Sequence, residues 1–167
     1  TLLAGYSYRG PRRGFYPLAA LMFVGLFGLL TAKTTIAFFF AWEVMAVGSY
    51  LLIIRGKKSM AHALSFMLFS LGGASLILFG LATVIAHNGG QLELSILSNA
   101  GPYATFAYIT LVIGFLTKTA ALGLHIWLPG AHAEAEADVS PMVSAILLKA
   151  GVFGLVTVLL AIEAPAI

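Results

Sequence analysis

The sequence has no cysteine and very little charge: among its 167 residues Cys is absent, and Asp, Glu, Lys and Arg together make up 9%. The first absence excludes disulfides and cysteine-ligated zinc or iron–sulfur centres within the chain. The second excludes an ordinary soluble domain, in which about a quarter of the residues are charged. A soluble chain this apolar would present a surface that aggregates. No secretory leader pattern opens the sequence. The first residue is Thr1 rather than methionine, and the chain is expected to be an internal piece of a longer subunit. Phosphate-binding glycine loops, nucleophile–base arrangements and nucleic-acid motifs are also lacking.

What the sequence does have is apolar length. Hydrophobic residues make up 60% and glycine contributes 18 positions, a frequency suited to helices that approach closely in lipid. Five apolar runs stand out, at residues 15–33, 36–54, 60–87, 103–128 and 139–163. About 20 apolar residues suffice to cross about 30 Å of hydrocarbon. Backbone groups in lipid must be paired within the protein, so spans of this kind are helices, and the runs lack the alternation of barrel strands. The predicted fold is all-α: one polytopic membrane bundle over residues 1–167, with five transmembrane helices.

Lysine and arginine set the expected topology. Arg9, Arg12 and Arg13 precede the first run, and Arg55, Lys57 and Lys58 lie between the second and third. Only Lys33 separates the first two runs, and no basic residue separates the third from the fourth. The positive-inside rule then places the N-terminus and the 55–58 loop on the cytoplasmic or matrix side, and a prokaryotic inner membrane is the expected location. The net charge of +3 reflects these clusters; no nucleic-acid partner is expected. The fourth run would form a straight helix of about 39 Å, longer than the hydrocarbon is thick. It contains Thr117, Thr119 and Gly123 and runs into Leu128-Pro129-Gly130, so the helix is expected to be discontinuous, with strong tilt as the alternative. Between the third and fourth runs, Asn88-Gly89-Gly90 and Gly101-Pro102 are turn signals. Leu92, Leu94, Ile96 and Leu97 between them predict a short interfacial piece.

Three ionisable residues fall well inside predicted spans: Glu43, Lys118 and Lys149. A charge at a helix centre costs about 2.5–3.5 kcal/mol on insertion scales, so three of them point to an internal polar path for protons. Glu43 and Lys118 have opposite signs and can pair, either as a static structural ion pair or as a switch in which separation lets the desolvated lysine release its proton. Lysine suits a switch because its proton affinity responds to burial, whereas arginine stays charged. His125 follows Lys118 by seven residues, two helical turns, and histidine titrates near neutrality. A relay from Lys118 through His125 to Lys149 is one reading; a packed, hydrogen-bonded His125 is the other. His132 reads as interfacial or as a further relay group, and His62, after the basic loop, as a gateway or a surface histidine. The set His125, His132, Glu134 and Glu136 matches no strong metal-ligand spacing, and no metal site is expected.

The stretch Lys118-Thr119-Ala120-Ala121-Leu122-Gly123-Leu124-His125-Ile126-Trp127-Leu128-Pro129-Gly130-Ala131-His132 resembles a signature of the antiporter-like proton-translocating subunits found in respiratory complex I, Mrp antiporters and energy-converting hydrogenases. Val139-Ser140 and the run from Leu147-Leu148-Lys149 to Leu155 continue the resemblance. Trp42-Glu43, followed by Gly48-Ser49-Tyr50-Leu51-Leu52-Ile53, is similar to the family's earlier glutamate helix. The match covers residues 31–155. It implies that Glu43 partners a central lysine, Lys118, on an interrupted helix, that Lys149 is a connecting lysine and that His125 is a relay histidine. It also implies that the five helices are one of two inverted repeats. Gly123 stands where many members have proline, so the interruption is expected to rest on glycine. Other membrane subunits would be partners, and protons or sodium the coupling ion. Cofactors would belong to a redox module outside this chain. The alternatives are a Mrp-type sodium/proton antiporter subunit and a structural membrane subunit with static ion pairs.

Overall fold

The structure, a computed structural model, describes residues 14–55, 60–121, 125–134 and 139–162. Apart from one isolated antiparallel bridge between Thr34 and Glu93, regular structure among the described residues is helical. Helix α1 is Phe15–Thr31, α2 is Thr35–Ile53 and α3 is Met60–His87. Two short 3-10 turns, Leu94–Asn99 and Gly101–Tyr103, lead into α4, Ala104–Lys118. Helix α5 is Trp127–Glu134 and α6 is Val139–Ala161. Helices α2, α3 and α6 are long and apolar enough to cross a membrane, and α1 is a shorter apolar helix.

Hydrophobic attraction does little to hold helices together in lipid, so close packing through small residues takes its place. Helices α1 and α2 form a hairpin. Thr34 caps α2, its hydroxyl accepting from the Ala37 N–H at 3.2 Å, which satisfies one free donor of the first turn. Gly25 and Gly48 let the two backbones touch; a Cβ on Gly48 would lie 2.8 Å from the Met22 nitrogen. Helices α3 and α4 meet in the same way at Gly73 and Gly114, where a Cβ on Gly114 would lie 2.7 Å from the Gly73 carbonyl oxygen.

The expected interfacial piece between the third and fourth spans is a tied-down 3-10 turn. Ile96 and Leu97 are buried. Leu92 O accepts from the Thr35 N–H at 2.7 Å and from the Thr35 hydroxyl at 3.0 Å, and Leu94 N–H donates to Lys33 O at 3.0 Å. The segment is thereby fastened to the turn between α1 and α2.

The fourth span is interrupted, not only tilted. Helix α4 has 15 residues, about 22 Å at 1.5 Å per residue, too short to cross about 30 Å of hydrocarbon. It closes with a paired-bond turn: Ala121 N–H reaches Leu116 O at 3.1 Å and Ala120 N–H reaches Thr117 O at 3.3 Å. That is the Schellman pattern, whose turn residue adopts a left-handed backbone. Here the turn residue is Ala120, with φ 54°. Gly123, on which the resemblance rested the interruption, lies outside the described residues; the described turn comes three positions earlier. Pro129 lies in the first turn of α5, where its missing N–H breaks no helical bond.

Alanine is strained at a left-handed position by about 1–2 kcal/mol, whereas glycine is not, although glycine costs about 0.5–1 kcal/mol in chain entropy. Ala120→Gly is therefore expected to stabilise the subunit by about 0.5–1 kcal/mol. The check is a small rise in the thermal unfolding midpoint in detergent. An equal or lower midpoint would contradict the assigned turn.

Helix α6 contains a single π-helical turn, Val143–Leu147, between α-helical stretches Val139–Met142 and Leu148–Ala161. Beyond it, Gly151 and Gly154 face the end of α4. A Cβ on Gly151 would lie 2.7 Å from Thr119 Cγ2 and 3.2 Å from the Phe115 carbonyl oxygen. The last helix is thus seated directly against the break.

Candidate site at the helix break

Lys118 is the last residue of α4 and is only 3% exposed. Its position at a helix C-terminus puts a cation at the negative end of the helix dipole. The ammonium is held by side chains from two other helices. Nζ donates to Ser70 Oγ at 2.7 Å and lies 4.9 Å from the Phe66 ring centre and 5.6 Å from that of Trp42. Phe66 and Ser70 are one turn apart on α3, so they share a face. The two aromatic faces attract the cation through their negative π clouds.

Aromatic packing fixes this cage. The Trp42 ring meets Phe115 edge-on at 5.2 Å and stacks on Phe38 at 6.4 Å. From beyond the break, Trp127 packs edge-on against Phe66 at 5.1 Å, and its indole N–H donates to Thr117 O at 3.3 Å. Trp127 therefore gives the Thr117 carbonyl a second donor beside the Ala120 N–H, and it ties α5 to the residue beside Lys118.

Glu43 lies on α2 next to Trp42 and is half-buried. It interacts coulombically with Lys118, yet among the described residues no direct ion pair joins the two. Its Oε1 is buried with no hydrogen-bond partner, as is Trp42 Nε1. Buried polar atoms are normally paired, so Glu43 presents an open acceptor within coulombic reach of a buried ammonium.

The other residues singled out in the sequence lie further out. Lys149 is exposed on α6, on the side away from Ala150, Gly151 and Gly154, which pack inward. His125 is exposed just beyond the break. His62 is half-buried near the start of α3, its ring close against Gly130 of α5. His132 falls on α5, but its side chain lies outside the described residues, as does that of Glu134; Glu136 lies outside them altogether. Among the described residues, no group of three or more His, Cys, Asp or Glu side chains is placed to hold a metal ion. Sequence reasoning missed Ser70 and Phe66. Their i, i+4 spacing was the available signal, but a lone serine in an apolar run reads first as a packing residue.

Residues 32–167 match the family described as NADH:quinone oxidoreductase/Mrp antiporter, transmembrane. The chain is 31% identical over 163 residues to the chloroplast NAD(P)H-quinone oxidoreductase chain 4 of Cucumis sativus, which covers 93% of this chain and 33% of that protein. It is 35% identical over 162 residues to NAD(P)H-quinone oxidoreductase chain 4 1 of a Synechococcus strain, covering 93% and 31%. The chain thus spans about a third of the length of these relatives. Its fold is also that of a chain of the Mrp complex from Dietzia sp. DQ12-45-1b, with a TM-score of 0.78, 22% identity, and coverage of 87% of this chain and 29% of that one. A chain of the archaeal membrane-bound sulfane sulfur reductase aligns with a TM-score of 0.82 at 20% identity, covering 92% and 34%. An all-helical apolar bundle with helices long enough to cross a membrane accords with these matches: the chain is an integral membrane protein belonging to the NADH:quinone oxidoreductase/Mrp antiporter family.

Proposed function

We propose that this chain forms a proton-conducting half of an antiporter-like subunit, in a membrane complex of the quinone oxidoreductase or hydrogenase type. The observation that carries the reading is the buried ammonium of Lys118 at a helix break, within coulombic reach of Glu43 but not bonded to it. A lysine held this way has two stations, its present cage and the open Glu43 carboxylate. Movement between them changes how well the charge is compensated, and so how readily the proton leaves. Lys118 and Glu43 act as the switch and His125 passes protons at the break. Lys149 hands them across the outer face of α6 to the remainder of the subunit. His62 and His132 serve at the entrance, on the cytoplasmic side together with the N-terminus. A charge such as Lys149 on a helix flank is poorly matched to lipid, which supports its being covered by the rest of a subunit about three times as long. Other membrane subunits are the partners; the chain holds no cofactor of its own, and redox chemistry belongs to a separate module.

The test is proton uptake by membrane vesicles carrying the parent complex, wild type against Lys118→Ala, at equal assembly. Loss of uptake is expected. Uptake at the wild-type level would assign the charges to structure alone. Uptake that requires sodium would identify a sodium-coupled antiporter instead.

A further inference from the structure

We propose that Ser70 is a positioning residue for Lys118: with the faces of Phe66 and Trp42 it forms a resting station that keeps the ammonium off Glu43, and each transfer begins by breaking the Ser70–Lys118 hydrogen bond. This rests on the proton-path reading of Lys118 given above.

Hydroxyl groups on membrane helices commonly return their hydrogen bond to the carbonyl four residues earlier. Ser49, Ser75 and Thr83 do so here, to Met45 O, Leu71 O and Phe79 O. Ser70 is buried like Ser49, but its oxygen accepts from Lys118 across the interface between α3 and α4. The choice of acceptor matters. A carboxylate at this place would hold the ammonium through a charge-assisted bond roughly twice as strong as a neutral one and would compete with Glu43 for the same cation. A hydroxyl satisfies one of the three ammonium donors without adding a charge. The Phe66 and Trp42 rings attract the remaining positive charge while offering no oxygen. The station is therefore strong enough to keep a buried cation in place and weak enough to yield it to Glu43. Phe66 is also the residue against which Trp127 packs, so a departing Lys118 changes the surface that α5 rests on.

The test uses threonine and valine, which have nearly the same shape and differ in the hydroxyl. Full-length subunits with Ser70→Thr or Ser70→Val, assembled in the parent complex, are compared for proton uptake in vesicles beside Lys118→Ala. Ser70→Thr is expected to stay within about twofold of wild type. Ser70→Val is expected to fall roughly tenfold at equal assembly, the scale of losing a hydrogen bond to a charged group. Equal activities for the two variants, whether high or low, would show that size and not the hydroxyl matters, and would overturn the proposal. Should the branched side chains hinder assembly, Ser70→Ala crowds nothing: a tenfold loss supports the station, and wild-type uptake overturns it. In each case a collapsed Lys118→Ala leaves the proton-path reading standing, whereas wild-type uptake in Lys118→Ala removes both.

Discussion

Lys118→Ala is expected to lower proton uptake by roughly tenfold or more, a conservative figure beside the 10²–10⁴ that a positioned proton-transfer group typically contributes. Removing the ammonium leaves Ser70 Oγ without the Lys118 donor and Glu43 without its coulombic partner. The companion substitution Lys118→Arg separates two roles. Arginine keeps the charge but does not release its proton, so a static ion pair would tolerate it where the cavity allows, and a proton carrier would not. Loss in both variants, with the complex assembled on native gels, is the expected result. Activity in Lys118→Arg would show that charge alone is required and would remove the proton-release step from the proposed cycle.

The second large effect concerns packing. Gly114→Val is expected to sever α3 from α4 and to deplete the subunit from the assembled complex. A Cβ there would sit 2.7 Å from both the Gly73 carbonyl oxygen and Ile77 Cγ1, and 3.2 Å from the Ile77 nitrogen. Two of these three neighbours are backbone atoms, which cannot swing aside. Overpacking at sites with flexible neighbours costs about 1–3 kcal/mol, and a rigid backbone contact puts the cost at the upper end of that range or beyond. The measurement is the fraction of subunit retained in the complex, together with its unfolding midpoint in detergent. By contrast, Gly72 faces open space, so Gly72→Ala is the matched control and should assemble normally. An assembled, stable Gly114→Val would mean that α3 and α4 are not in backbone contact there.

Much of the architecture was legible because lipid simplifies the problem. Spans must be helical and about 20 residues long, and the run at residues 60–87 coincides with α3. The ends of the first two runs differ from α1 and α2 by one or two residues, as expected where caps decide the boundary. The interruption of the fourth span followed from its excess length. Its position did not, because proline and glycine are the residues that usually announce a break, and here the backbone turns left-handed at an alanine. Glu43 and Lys118 were legible as buried charges, since a charge set amid leucines and phenylalanines is too costly to keep unless it has a partner or a polar path. Ser70 and Phe66 were not. Their role depends on which face of α3 meets α4, and α3 is apolar all round, so the sequence has no amphipathic stripe from which to read that face.

The π-helical turn of α6 decides where that helix can change length. A π turn is closed by i, i+5 bonds and so takes up one residue more than an α-helical turn. Removing one residue from Val143–Leu147 would close it to a plain α turn. Removing one from the α-helical stretch Leu148–Ala161 would instead rotate the residues before the cut against those after it by about 100°, and Gly151 and Gly154, keyed into α4, leave no room for that. Length changes that related genes accumulate in α6 should therefore fall in the π turn, and outside that helix in the exposed turn at Gly89 and Gly90, where an added residue changes a loop and not an orientation.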